Sequence, residues 1–199
     1  MSKSFLHLAV YTSLVVTQCY CQNKQDTYNP KAVELNKEAV KFMNAQHFDS
    51  AMLYLDRAIE IDTTYYVAYG NKCSLYCSMK DYENAITQIQ KEVTVKPDLA
   101  EAWTYGDMLS DKLGDTATAM AYYKRSVELF DERITNPSKQ EFLEANQRNR
   151  AISLILMGQD EQGRNELKRQ KKAHPDDKSL DDQLKLDKRK YLNEIFDDQ

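Results

Sequence analysis

The sequence predicts an all-α solenoid of stacked helix-turn-helix repeats, and two observations lead to this prediction. First, residues 66–99 read as one helical hairpin, because each half places its larger side chains at three- and four-residue steps on one helix face. These side chains are Tyr69, Lys72, Cys73 and Tyr76, then Tyr82, Ala85, Ile89 and Val93. Second, the pattern returns when it is shifted by 34 residues, a period typical of helical repeat arrays.

In this register the chain divides into four units, 32–65, 66–99, 100–133 and 144–177, with an insert at 134–143. A small residue recurs in the second half of every unit, where it would let two helices approach closely. A large side chain follows it four positions later. The small residues are Ala51, Ala85, Ala119 and Gly163, and the large ones are Leu55, Ile89, Tyr123 and Leu167. At 199 residues, the chain is long enough for four such units with caps.

These motifs resemble the tetratricopeptide repeat family. An aromatic residue opens the second helix as Phe48 and Tyr82, Trp103 stands at the place of the family's tryptophan, and Pro97 ends unit two. The pairs Leu113-Gly114 and Met157-Gly158 fall in the turns between helices. The pattern departs from the family at Thr63, Thr116 and Asp131. The resemblance implies a protein that acts by binding and does not identify what is bound.

The resemblance also implies a concave groove lined by the first helix of each unit. The candidate groove residues are Asn36, Val40, Met43, Asn71, Ser74, Tyr105, Met108, Arg148 and Ile152. The lining is mixed, with asparagines that can bond a peptide backbone and apolar side chains that can accept a partner's. We therefore expect a protein partner, bound as a peptide or as a helix.

The family's specialised groove, which clamps the terminal carboxylate of chaperones with two lysines, two asparagines and an arginine, is not expected. The corresponding places hold Asn36, Val40, Asn71, Glu101 and Tyr105, and Asn71 alone matches. Two of the cationic places therefore carry no positive charge, so the sequence predicts no chaperone co-factor of that kind.

No constellation of residues points to catalysis, a cofactor or a metal. The sequence has no glycine-rich phosphate loop, nucleophile elbow or zinc-protease spacing, so we expect a protein that is not an enzyme. A net charge of −4 with interspersed acids and bases argues against a nucleic-acid partner. Cys73 and Cys77 could be imagined as a metal pair or a disulfide, but we interpret them as small buried residues.

The first 21 residues suggest a signal peptide. Lys3 precedes an apolar stretch from Phe5 to Val16, and Cys19 and Cys21 offer small residues before a cleavage site near Gln22. We therefore expect an exported chain, periplasmic, envelope-associated or secreted, with a flexible tether at 22–31. A lipid anchor on Cys19 or Cys21 and a cytoplasmic chain with an apolar start are the alternatives. No span of about 20 apolar residues follows Ala32, so no transmembrane helix is expected in the mature chain.

Residues 178–199 carry apolar side chains at helical spacing with charges between them, which predicts a C-terminal capping helix that covers the last repeat. The basic run from Arg164 to Lys172 could form a patch for acidic lipid or a polyanion, but we interpret it as the cationic C-terminal end of the second helix of unit four. Two functions remain open. The chain is either a non-catalytic adaptor with a ligand in its groove, or a structural component of an envelope assembly that uses its convex face or its C-terminal helix.

Overall fold

The computed structural model describes residues 27–196, and every regular element in this range is helical. The prediction of an all-α solenoid is confirmed. The helices are α1 (Pro30–Asn44), α2 (Phe48–Ile61), α3 (Tyr66–Ser78), α4 (Tyr82–Val95), α5 (Ala100–Lys112), α6 (Thr116–Thr135), α7 (Leu143–Leu156), α8 (Asp160–Ala173), α9 (Lys178–Leu184) and α10 (Lys188–Phe196), with a 3-10 helix at Pro137–Phe142. None of them is long and apolar enough to cross a membrane.

The first eight α-helices form four antiparallel hairpins that stack in chain order. Close contact within each hairpin depends on the recurring small residue. Ala51 and Ala85 are fully buried. At Gly163 even a methyl group would not fit, because a Cβ there would lie 2.4 Å from the backbone oxygen of Ala151. The 34-residue pattern therefore reflects helix packing directly.

All four hairpins turn through a residue in the left-handed backbone region. These residues occupy the same place in each unit and are Gln46 (φ 59°), Lys80 (φ 60°), Gly114 (φ 78°) and Gly158 (φ 92°). Glycine adopts this conformation without strain, whereas a side chain makes it costly. Units one and two therefore contain strained turns that units three and four avoid.

The insert between units three and four is bridged by Arg150 of α7. Its guanidinium donates from Nε to Asp131 of α6 at 2.5 Å and from Nη1 to Glu166 of α8 at 2.9 Å. The three side chains join three helices in one ion-pair network, and the two carboxylates raise the pKa of Arg150 against the opposing effect of burial. This network holds the fourth hairpin against the third across the interruption in the repeat.

The predicted flexible tether at 22–31 is wrong at its end nearest the repeats. Helix α1 begins at Pro30, and the side chain of Asn29 caps it by accepting from the backbone N–H of Lys31. The ring of Tyr28 packs 4.9 Å from that of Tyr65. The polar composition suggested a tether, although the segment contains Tyr28, which packs on the repeats, and Asn29, which caps α1. The remainder of that segment lies outside the described residues.

The C-terminal segment contains two short helices where a single capping helix was predicted. Helix α9 packs on α8, as a cap would, and residues 185–187 then turn the chain so that α10 returns to α5. Arg164 of α8 stabilises this turn by donating to the backbone oxygens of Leu184 and Leu186. The basic run thus contains an arginine that directs the path of the chain.

Candidate functional site: the inner wall of the array

We define the inner wall as the faces of α1, α3, α5 and α7 that carry the predicted groove residues. At units one and two, Asn36 is buried and accepts from the side-chain N–H of Asn71 at 2.8 Å, while its own amide donates to the Tyr65 hydroxyl at 3.3 Å. Val40 is half-buried beside them on α1. Met43 is buried, and the buried hydroxyl of Ser74 donates to Gly70 of its own helix.

At units three and four the predicted residues lie in the core. Tyr105, Met108 and Ile152 are buried in one continuous apolar cluster, which extends to Ile195 and Phe196 at the end of α10. The aromatic ring of Tyr105 lies 6.1 Å from that of Phe196, centroid to centroid. This part of the predicted groove is therefore covered by the chain itself.

Arg148 is separate from the other predicted residues. Its guanidinium donates to Gln170 at 3.3 Å, to Ser179 at 3.1 Å and to Asp177 at 3.0 Å. The pKa of Asp177 falls to about 2, mainly because its carboxylate accepts from Ser179, with a further contribution from Arg148. In this structure Arg148 fastens the start of α9 to unit four.

Helix α10 lies on the inner wall and ends in an aromatic pocket. The ring of Phe196 is fully buried and meets that of Tyr82 at a centroid distance of 5.5 Å and an angle of 73°. The Tyr82 hydroxyl also donates to the Phe196 backbone oxygen at 2.5 Å. Tyr82 belongs to unit two and Tyr105 to unit three, so the last turn of α10 is seated where two repeats meet.

The other end of α10 carries a cation. Lys188 Nζ lies 2.5 Å from a carboxylate oxygen of Asp111 on α5 and 4.9 Å from the ring centroid of Tyr123 on α6. Asp111 also accepts from the Tyr123 hydroxyl at 2.7 Å. Because Lys188 meets Asp111 while Phe196 meets Tyr105, α10 runs in the opposite direction to α5.

Asp107 lies one helical turn before Asp111 on the same helix face. It is fully buried, and neither of its carboxylate oxygens has a hydrogen-bond partner among residues 27–196. Burial, reinforced by the charge of Asp111 and opposed by that of Lys188, raises the pKa of Asp107 well above its ordinary value. Asp107 also raises the pKa of Tyr191 on α10, to about 12, although burial of that hydroxyl is the larger cause.

Sequence reasoning missed Asp107, Tyr82 and the return of α10. A signal for the first was present in the repeat register. The equivalent places in units one, two and four hold Ala39, Cys73 and Ala151, all small and all fully buried, so an aspartate in this series is an anomaly. The return of α10 has no such signal, since its contacts do not repeat from unit to unit among the described residues.

The prediction that the two cysteines are small buried residues is confirmed. Cys73 and Cys77 are free thiols inside the apolar cluster, and burial raises the pKa of Cys73 well above its ordinary value. A thiol that holds its proton is a poor nucleophile and a poor metal ligand. The part of the chain that the structure describes contains no group of three His, Cys, Asp or Glu residues placed to hold a metal ion.

Comparison with known proteins supports the fold and the resemblance. A family model described as tetratricopeptide repeat matches residues 103–132. The heat shock protein sti1 homolog of Schizosaccharomyces pombe is 28% identical over 96 residues, which cover 48% of this chain and 16% of that protein. The Hsp70-Hsp90 organizing protein of Triticum aestivum is 29% identical over 86 residues, covering 43% and 15%. The chain therefore matches about a sixth of the length of these relatives.

Among solved structures, PilW, titled a widely conserved type IV pilus biogenesis factor, aligns with a TM-score of 0.54 at 23% sequence identity. The alignment covers 74% of this chain and 64% of PilW, so the two share a fold.

The prediction of an exported protein is wrong. The curated relatives are named as heat shock proteins and as an organiser of Hsp70 and Hsp90, which points away from a secreted or periplasmic chain. The predicted signal peptide, residues 1–21, lies outside the described residues. The apolar stretch that suggested it is short and is interrupted by His7, Tyr11 and Thr12, and such a stretch is weak evidence for export.

Proposed function

We propose that this chain, with its likeness to tetratricopeptide repeat proteins, is a non-catalytic adaptor that binds a protein partner on the inner wall of its array. The observation that supports this most strongly is the position of α10, because this amphipathic helix of the chain itself lies on the wall across two repeats. The named relatives are also consistent with an adaptor, since one is called an organiser of two other proteins.

The charged residues of the inner wall indicate whether an acidic, neutral or basic partner would fit it. Unit three presents Glu101 and Asp111, and each is matched by a cation of the chain itself, Arg133 at 2.6 Å and Lys188 at 2.5 Å. Glu101 is buried under its pair with Arg133, so a partner that replaced α10 would meet Asp111. An acidic peptide tail, such as a chaperone terminus gripped by its carboxylate, would meet that acid without the cationic clamp that would hold it. A neutral or basic partner fits this wall better.

Units one and two offer a polar stretch beside Val40. The amide of Asn71 uses one of its two N–H groups on Asn36, so its remaining N–H and its oxygen suit the alternating donors and acceptors of a peptide backbone. Val40 lies one helical turn from Asn36 and is half-buried, which suits contact with an apolar side chain. This stretch is the proposed site for an extended segment of the partner.

A second candidate function is supported by apolar side chains on the convex face. Leu53 on α2 and Met120 on α6 are 48% and 40% exposed, and both helices are second helices of their units. Large exposed apolar side chains on this face could join the chain to a larger assembly.

One experiment separates the two functions. Peptides are selected from a displayed library on the immobilised full chain, and their affinity is measured for the parent, Val40→Glu and Leu53→Glu. Circular dichroism shows that each variant is folded. If the inner wall binds the partner, Val40→Glu loses at least about tenfold in affinity, since burying an unpaired charge at an interface costs more than about 1.4 kcal/mol, and Leu53→Glu binds like the parent.

The opposite pattern, a loss on Leu53→Glu alone, would move the contact to the convex face. Full affinity for both variants would refute the inner wall of units one and two as the site.

A further inference from the structure

We infer that α10 is a resident ligand of the inner wall, and that the partner which replaces it is a helix with a cation at one end and a large aromatic side chain eight residues later. This inference rests on the proposed function and adds to it the chemical class of the ligand and a means of regulation. The site already contains a bound example of its ligand.

The aromatic end supplies the apolar part of the recognition. Phe196 is fully buried between Tyr82 and Tyr105, with edge-on and tilted ring contacts of 5.5 and 6.1 Å. Such ring pairs contribute beyond their buried area, and a smaller apolar side chain would leave the pocket part-empty. The pocket therefore selects a large aromatic residue.

The cationic end supplies charge selection. The groups that face Lys188 are Asp107 and Asp111 on α5 and Tyr123 on α6, with Tyr191 one turn along its own helix. The Asp111 carboxylate and the face of the Tyr123 ring favour a cation and disfavour a neutral or acidic side chain. Asp111 is the acid that Lys188 meets at 2.5 Å, and Asp107 is fully buried one helical turn away from it.

The attachment of α10 allows it to leave without disturbing the array. Helix α9 stays on α8 by its own contacts, and Arg164 holds the backbone at Leu184 and Leu186, before α10 begins. The opposite face of α10 is solvated, with the side chain of Lys190 76% exposed. Release of α10 therefore uncovers the pocket between units two and three and leaves the four hairpins in place.

The test uses a fluorescent synthetic peptide of residues 186–199 as the probe, and fluorescence anisotropy as the readout. It is titrated with the full parent chain, with the release variant Lys188→Ala/Phe196→Ala, and with Lys190→Ala, a matched control on the exposed face of the same helix. A minor open state is typically populated at about 0.1–10%, so the release variant should bind the probe at least about tenfold more tightly than the parent. Lys190→Ala should bind like the parent.

Loss of the buried Phe196 ring could cause misfolding, so a second variant, Lys188→Glu, keeps that ring. It replaces a side chain that is 38% exposed and reverses its charge. It should also bind the probe more tightly than the parent. Probes that carry Glu in place of Lys188, or Ala in place of Phe196, should bind the release variant at least about tenfold more weakly than the unaltered probe.

Equal binding by parent and release variant would show that α10 does not occlude the wall, and would overturn the inference while leaving the proposed function intact. Loss of hydrogen-exchange protection at α5 would show that α10 has left the wall of the release variant. If that variant then failed to bind the probe peptide, the proposed class of ligand would be wrong. The Val40→Glu experiment would then judge the proposed function separately. A dimeric parent in light scattering would overturn the intramolecular arrangement, because α10 would be shared between two copies.

Discussion

Replacing Asp107 with alanine should stabilise the protein, although it removes a buried side chain. The substitution restores the small residue that the other three units carry at this place, Ala39, Cys73 and Ala151. It removes a fully buried carboxyl group whose two oxygens have no hydrogen-bond partner among the described residues. The ion pair between Lys188 and Asp111 is retained.

The magnitude follows from two opposing contributions. A buried polar group without a partner costs about 1–3 kcal/mol. The space vacated by a carboxyl group, about 30 Å³, costs roughly 0.7 kcal/mol at about 24 cal/mol per Å³. The expected net gain is about 1–2 kcal/mol, which corresponds to a rise in Tm of about 2–8 °C for a chain of this size.

The gain should depend on pH. Because the pKa of Asp107 is raised in the folded state, the parent's carboxyl stays protonated when folded and ionises when unfolded, once the pH exceeds the ordinary value of 3.8. The parent therefore loses stability as the pH rises from that value to the raised one, whereas Asp107→Ala does not. The difference in Tm between variant and parent should widen from acid to neutral pH.

The assay is thermal unfolding of both chains, followed by circular dichroism across this pH range. Asp176→Ala is the control, since Asp176 is exposed in the loop before α9. A variant less stable than the parent at neutral pH, or a difference that is the same at every pH, would refute the account of Asp107 as a buried, unpartnered acid.

Three other predictions concern packing, turns and the link to unit four. Ala85→Leu should overpack the contact between α3 and α4 and lower the free energy of unfolding by about 1–3 kcal/mol, measured by denaturant titration; a Cm equal to the parent's would mean that the assigned register is wrong. Lys80→Gly should relieve its left-handed turn (φ 60°) and raise the free energy of unfolding by up to about 1 kcal/mol, while Gly114→Ala (φ 78°) should lower it in the same titration. Arg150→Ala should lower Tm by leaving two partly buried carboxylates unpaired, with the greatest increase in hydrogen exchange at α7 and α8; protection unchanged there would contradict the bridging role.

The hairpins could be predicted from the sequence because their determinants are local and repeated. The buried alanines and the large residue four positions after each of them recur at one period, so each occurrence strengthens the others. The start of α1 could not be predicted as readily, since it depends on Tyr28 packing against Tyr65 and Tyr66, where units one and two meet, far along the chain.

The candidate site was predicted less well, for a physical reason. Repeat register indicates which side chains face inward, and it led to Tyr105 and Met108. It carries no information about what covers them, because Lys188 meets Asp111 and Phe196 meets Tyr82 through single pairings over a long sequence separation. Such pairings depend on the path of the chain, which Arg164 redirects through two backbone oxygens.

The short connection between α9 and α10 sets a threshold for any competing partner. Only residues 185–187 separate the two helices, so the effective concentration of α10 at the inner wall is on the order of millimolar. A free partner present at micromolar concentration must therefore have an intrinsic affinity about a thousandfold higher than that of α10, or about 4 kcal/mol more binding energy. A helix that merely copied α10 would remain unbound. A partner that also reached the Asn36–Asn71 pair on units one and two would gain contacts that α10 does not make. The chain would then select a longer ligand over helices that only resemble α10.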